Sequence, residues 1–255
     1  MLAKERQFKI LELLNERRII KTDEVIKLFK VSGETIRRDF NKLESEERIN
    51  RLHGGISLIE KDYPEMPYYE REIININEKL EIASEAIKYI NEGEQIILDS
   101  SSTSWFLAKV LPNIKITVLT NSIRVVLELA KKDNIEVICT GGILLESSMS
   151  FIGRIAQISL NLYHVSKAFI SSKGINEIRG LSELNEMAIM VKRKIIDTAN
   201  EVFVLMDNSK FGLENFLQVV ALDKISWIIT DSKTTIQQIN SLGKHAKKVI
   251  QVKKT

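Results

Sequence analysis

The chain has 255 residues, 44% hydrophobic and 28% charged, which is ordinary globular usage and excludes wholesale disorder. Its formal charge is only +3, yet residues 1–55 hold 13 Lys/Arg against 10 Asp/Glu, so the whole excess sits in the first fifth. A basic end on a neutral remainder points to a polyanion at one end and a different partner at the other.

Cys139 is the one cysteine, which excludes an internal disulfide and a zinc site built on a Cys cluster; it falls in the apolar run 135–140 and is expected in the core. No stretch approaches the roughly 18 apolar residues of a membrane span, and the first residues are charged where a secretory signal would be apolar. A soluble cytoplasmic protein is expected.

In chain order, Phe8, Leu11 and Leu14 recur at helical spacing beside Ile10 and Leu13 and give a first helix. Thr22-Asp23-Glu24 starts a second, with a polar cap and acids at the positive end of the dipole, and Val25, Leu28 and Phe29 as its buried face. A tight break at Gly33 with a new N-cap at Ser32 opens the next helix. It buries Ile36, Phe40 and Leu43 and leaves Thr35, Arg37, Arg38, Asn41 and Lys42 on or near the outer face. Residues 48–58 alternate polar and apolar around Gly54-Gly55, which predicts a small hairpin, or wing.

Two short helices joined by a turn containing Gly, the second carrying exposed arginines, fit a helix-turn-helix. Arg37 or Arg38 would bond guanine O6/N7 in the major groove or grip phosphates. Thr22, Ser32 and Thr35 at helix starts suit phosphate oxygens. Arg51 and His53 of the wing would lie near the DNA backbone or minor groove. The plainer reading is a helical hairpin with a solvated charged face; the capped turn, Arg-bearing helix, glycine hairpin and basic charge together favour duplex DNA.

Residues 59–76, with Pro64 and Pro67 beside Tyr63, Tyr68 and Tyr69, are expected to form an extended linker between domain 1–58 and domain 77–255. Asn77 is the expected cap of a helix over 78–91. Strands are expected at 95–99, 115–119, 136–139, 167–170, 202–206, 226–229 and 248–251. Helices are expected at 104–111, 122–132, 183–199 and 232–242. Nearly continuous apolar strands separated by helices indicate an α/β domain with a parallel sheet covered on both faces.

Ligands of such sheets bind at the carboxyl ends of the strands. Asp99 with Ser100, Ser101, Ser102 and Thr103 lies there, and Thr120, Asn121 and Ser122 repeat the arrangement after the next strand. Hydroxyls and amides at a helix start suit a phosphate, and the same residues are ordinary N-caps. Gly141 and Gly142 would let backbone approach a ligand closely. Lys210, in Asp207-Asn208-Ser209-Lys210, would neutralise a phosphate or bond a sugar hydroxyl, and Lys192 is a further candidate. Asp99 reads equally as general base, sugar-hydroxyl acceptor or cap. His164 and His245 are isolated; no metal pair, dinucleotide fingerprint or P-loop occurs, so no cofactor is implied.

Val31-Ser32-Gly33-Glu34-Thr35-Ile36-Arg37-Arg38-Asp39-Phe40 and Arg51-Leu52-His53-Gly54-Gly55 resemble the recognition helix and wing of the DeoR-type bacterial transcriptional repressors. Lys79-Leu80-Glu81-Ile82-Ala83, Thr120-Asn121-Ser122, Gly141-Gly142, Val191-Lys192-Arg193, Asp207-Asn208-Ser209-Lys210 and Thr230-Asp231 follow in that family's order. The resemblance implies a winged helix-turn-helix joined to an α/β sensor domain related to sugar-phosphate isomerases. It also implies a phosphorylated sugar as effector, operator DNA as target, and a homodimer or homotetramer. The competing expectations are a sugar-phosphate isomerase-like enzyme with an N-terminal interaction arm, and a phosphosugar-binding adaptor that does not touch DNA.

Overall fold

The computed structural model describes residues 3–17, 19–46, 48–58, 66–243 and 248–253, less the side chains of Phe8, Glu12, Asn15, Glu16 and Leu58. The expected packing of Phe8, residues 59–65 of the expected linker, and His245 lie outside the described residues. The chain divides into two compact units, Met1–Pro64 and Glu65–Thr255.

The first unit runs α1 (Ala3–Arg17), β1 (Ile19–Lys21), α2 (Thr22–Phe29), α3 (Gly33–Ser45), β2 (Ile49–Leu52) and β3 (Gly55–Leu58). Ile10, Leu14, Val25, Ile36, Phe40, Leu43, Ile49 and Ile56 close into one core, as the helical spacing requires. Leu28 does not join it: it lies one turn from buried Val25 on the same side of α2 but is 56% exposed, left uncovered by the core. The break between α2 and α3 is made by Lys30, whose φ of 52° is left-handed, and not by Gly33, which is the first residue of α3. Thr22 is likewise inside α2 and caps nothing; its amide is bonded instead to the Gly54 carbonyl at 2.9 Å.

That bond belongs to an unanticipated feature. β1 pairs antiparallel with β3, which pairs with β2, so the wing is a three-stranded sheet rather than a hairpin. The pairing sets the role of Gly55: a Cβ there would lie 2.5 Å from the Ile20 carbonyl oxygen. Gly55→Ala is therefore expected to cost the first unit about 1–3 kcal/mol by forcing β1 and β3 apart. Thermal unfolding of that unit's transition checks this; an unchanged midpoint would mean the strands separate freely.

The second unit runs α4 (Tyr68–Glu72), α5 (Ile76–Ala86), β4 (Gln95–Leu98), α6 (Ser102–Val110), β5 (Ile116–Thr120), α7 (Ile123–Leu129), β6 (Ile135–Cys139), β7 (Ile143–Leu145), β8 (Ser150–Ile152), α8 (Arg154–Asn161), β9 (Val165–Ile170), β10 (Gly174–Asn176), β11 (Gly180–Glu183), α9 (Glu186–Thr198), β12 (Ala199–Leu205), β13 (Leu217–Val220), β14 (Trp227–Thr230), α10 (Ile236–Asn240) and β15 (Val249–Gln251). Among the described residues, a parallel sheet is ordered β6-β5-β4-β9-β12-β14-β15. Ile97, Leu119, Ala168 and Val204 face α8 and α9 on one side. Ile96, Val118, Phe169 and Phe203 face α5, α6 and α7 on the other. The strand order reverses between β4 and β9, and that reversal is where open α/β sheets hold ligands.

Several expectations are corrected. Residues 68–72 are helical, and Tyr68 is wholly buried, so this stretch is not extended linker. Pro67 sits at the N-cap of α4, where a missing N–H costs nothing and a helix can follow at once. The cap of α5 is Asn75, in the left-handed region, not Asn77. Cys139 is exposed, because it ends an edge strand. The β7–β8 hairpin, α8 and the small antiparallel sheet β10-β11-β13 were not foreseen; their strands are only three or four residues long, too short for a pattern to register.

Candidate functional site

On the first unit, α3 divides into two faces. Ile36, Asp39, Phe40 and Leu43 are buried, while Arg37, Arg38, Asn41 and Lys42 are exposed. Ser32 caps the helix, accepting from the Thr35 amide at 3.2 Å, with its hydroxyl 2.9 Å from that of Thr35. Asp39 fixes the helix to α1: its carboxylate takes the Arg6 guanidinium at 2.5 Å and the Gln7 amide at 2.8 Å, all three away from the outer face. Arg51 of the wing donates to Asn41 Oδ1 at 2.9 Å and lies 5.1 Å from the Phe40 ring centre, so the wing and α3 present one surface. His53 is exposed at the wing turn. Among the described residues Arg38 pairs with Glu34, at 3.5 Å with both side chains over 80% exposed, a contact worth little in water. The two adjacent guanidinium groups are therefore available on a helix thin enough for a major groove.

On the second unit, the polar residues predicted at the strand ends do lie along the carboxyl edge, and many act as ties within the chain. Asp99 is buried, and both its oxygens are engaged: Oδ1 accepts from the Ser101 amide at 3.0 Å and the Ser104 hydroxyl at 2.7 Å, Oδ2 from the Ser171 amide at 3.0 Å. Lys192 Nζ stands 3.5 Å from Oδ2 and 2.5 Å from Glu183 Oε1, and also donates to the Ser171 carbonyl. Asp99 and Lys192 thus clamp β4 to β9 at the reversal of strand order. Burial works against the Lys192 ammonium, but Glu183 and Asp99 outweigh it and hold the group above the usual lysine range.

Ser101 and Ser122 cap α6 and α7, and Thr120 donates to the Leu98 carbonyl at 2.6 Å. The groups left over are the Ser100, Ser102 and Thr103 hydroxyls, which have no side-chain partner among the described residues, and Asn121 Oδ1, which is buried and unbonded. Gly142 needs its φ of 123° to bring the chain against itself, since a Cβ there would lie 2.6 Å from the Ile152 carbonyl oxygen. Gly141 has open space around it. At about 4.8 Å per strand, the four steps from β6 to β12 span about 19 Å, so one monosaccharide cannot touch both Gly141 and Asp207.

A family model described as the DeoR C-terminal sensor domain matches residues 74–232, and one described as a DeoR-like helix-turn-helix domain matches residues 6–62. This chain belongs to the DeoR family of transcriptional regulators.

Among curated relatives of this DeoR-family chain is the uncharacterized HTH-type transcriptional regulator YulB of Bacillus subtilis (strain 168). It is 44% identical over 252 residues, 99% of this chain and 98% of the relative. The HTH-type transcriptional repressor GlcR of the same strain is 36% identical, covering 91% of this chain and 89% of its own length. The L-fucose operon activator of Haemophilus influenzae is 34% identical, covering 87% and 89%. Ribose 5-phosphate isomerase A of Methanocaldococcus jannaschii overlaps 53% of this chain and 54% of its own at a TM-score of 0.41 and 22% identity, which says nothing of activity.

In this DeoR-family regulator, pattern reading missed the groups that α4 and α5 bring to the carboxyl edge. Asn75 donates to Asp207 Oδ1 at 3.1 Å, and Lys79 donates to the carbonyls of Arg71 at 2.5 Å and Ile74 at 2.6 Å. Burial pushes the Lys79 ammonium down to about 7; Asp207 opposes this, while Lys210, Arg71 and Lys173 add to it. The missed signal is the helical spacing itself: Lys79 shares the buried face of Ile82, Ala83 and Ala86, where a lysine without a task is rare. Glu183, which holds Lys192, ends a strand too short to have been recognised.

Proposed function

We propose that this regulator represses a sugar operon and is controlled by a phosphorylated sugar held at the carboxyl edge around the β4–β9 reversal. The observation that carries the proposal is the placement of Arg71, Lys173 and Lys210 within electrostatic reach of Lys79, whose buried ammonium is lowered first by desolvation and further by these cations, against Asp207. A dianion relieves that repulsion. The unbonded Asn121 Oδ1 and the Ser100, Ser102 and Thr103 hydroxyls supply partners for sugar hydroxyls. The names of the relatives, a GlcR repressor and a fucose operon activator, support a sugar operon as target. The isomerase reading is not favoured: Asp99, the base it would use, has no oxygen free to take a proton.

One head offers a single short recognition helix, so specific binding calls for paired heads on half-sites roughly 34–36 Å apart, and a homodimer or homotetramer is part of the proposal. The sugar acts by binding one arrangement of the paired heads better than the other.

Calorimetry of the full chain against hexose and pentose phosphates, and against the same sugars without phosphate, tests the effector. A true effector at a hundredfold excess over Kd adds about 2.7 kcal/mol to stability and changes DNA affinity. Equal response to the free sugars would overturn the phosphate assignment. A further expectation concerns pH. With the free-state pKa near 7, a bound phosphate raises it, so binding takes up a proton above pH 7. Affinity therefore falls as pH rises from about 7 to 9, by at most about tenfold per unit from this group. Binding enthalpies measured in buffers of different ionisation heat report the proton directly, and Lys79→Met should abolish it.

A further inference from the structure

α8 is apolar on two sides. Ala156 and Leu160 are wholly buried against the sheet, while Ile155, Ile158 and Leu162, at i, i+3 and i+7, form an exposed stripe where a surface helix is ordinarily polar. The stripe continues. Ile143 of the β7–β8 hairpin lies against Gly153 at the head of α8, with its Cδ1 3.4 Å from where a Cβ on that glycine would stand. α9 packs beside α8 and adds exposed Met190. These five side chains are each 44–76% exposed. Together they expose on the order of several hundred Å² of apolar surface, against the ~800 Å² per partner of a standard interface.

We propose that this face receives a second copy of the chain, with the two α8 helices antiparallel about a two-fold axis. The proposal rests on the paired-head reading above and adds the surface that performs the pairing. The charge pattern selects a second copy over another partner. Arg154 is exposed, has no ion-pair partner among the described residues, and begins α8, where a cation is disfavoured by its own helix dipole. In an antiparallel pair it faces the carbonyl end of the opposing α8, so one two-fold operation answers both the apolar stripe and the misplaced charge.

The same hairpin is tied to the effector edge. The Phe151 amide donates to the Asn121 carbonyl at 2.7 Å, Asn121 Nδ2 donates to the Phe151 carbonyl at 3.2 Å, and the Ile123 amide donates to the Met149 carbonyl at 3.1 Å. A ligand that engages Asn121 therefore pulls on a strand whose neighbours line the docking face.

Sedimentation velocity of the full chain between about 1 and 100 μM is the test. Wild type should be dimeric or larger, and Ile158→Asp should weaken self-association at least 100-fold. Ile236→Asp, at a comparably exposed apolar position on α10, should leave it unchanged. Should Ile158→Asp fail to fold, Ile158→Cys in a Cys139→Ser background decides instead, since mild oxidation should give a disulfide-linked dimer. A monomeric wild type, an Ile158→Asp variant of unchanged mass, or a folded cysteine variant that does not cross-link overturns the proposal. An Ile158→Asp variant of unchanged mass or a cysteine variant that does not cross-link would leave ligand-controlled DNA binding standing, and a monomeric wild type would overturn the paired heads as well, whereas loss of the sugar-phosphate response in an intact dimer would overturn that reading and leave the docking face.

Discussion

Replacing Arg37 and Arg38 together by Ala is expected to abolish specific DNA binding while leaving the fold intact. Each good bidentate contact to a base is worth about 1–3 kcal/mol, so the pair contributes about 2–6 kcal/mol, or roughly 30-fold to 10⁴-fold in Kd. Both side chains are exposed, and the ion pair that Arg38 makes with Glu34 is solvated. Stability should therefore stay within about 0.5 kcal/mol of wild type. The probe is a duplex selected from a random pool by the wild-type chain, titrated across a salt series. If the arginines grip phosphates, the log–log slope flattens by about 0.9 per lost contact and all sequences weaken alike. If they read bases, the slope holds and sequence preference relaxes. Unchanged affinity together with an unchanged slope would remove α3 from the interface.

Asp99→Ala is expected to destabilise the second unit by about 3–5 kcal/mol, the range seen when one partner of a buried ion pair is deleted. The variant strands the amides of Ser101 and Ser171 and the Ser104 hydroxyl, and leaves Lys192 to Glu183 alone. For a unit of this size that corresponds to a fall in Tm of roughly 6–20 °C. Asp99→Asn should fall between, since its oxygen can serve Ser101 and Ser104 but its NH₂ meets two further donors. Differential scanning calorimetry reads the effect without any ligand. An Asp99→Ala chain as stable as wild type but blind to effector would make Asp99 a ligand contact instead of a clamp.

Much of this is legible in the amino-acid sequence. The apolar spacing of Ile36, Phe40 and Leu43 placed the buried face of α3, and Arg37 and Arg38 follow from it by subtraction. The carboxyl-edge loops were found because Ser and Thr after a strand are conspicuous. Their division of labour was not, since a cap and a ligand contact use the same residue types; only the partner atoms separate Ser101, a cap, from Ser102. Long-range ties were illegible for a related reason. Nothing near Asp39 in sequence announces Arg6, and nothing near Gly55 announces Ile20. Leu28 failed because periodicity gives a face its direction and not its cover.

The two-sided character of α3 has an evolutionary corollary. Positions 36, 39, 40 and 43 bear the scaffold; 37, 38, 41 and 42 are exposed, with Asn41 bonded to Arg51 of the wing. Substitutions on the outward positions can retarget such a protein to a new operator at almost no cost to its architecture. Lineages that duplicate this gene can therefore diverge in what they read long before they diverge in how they are built.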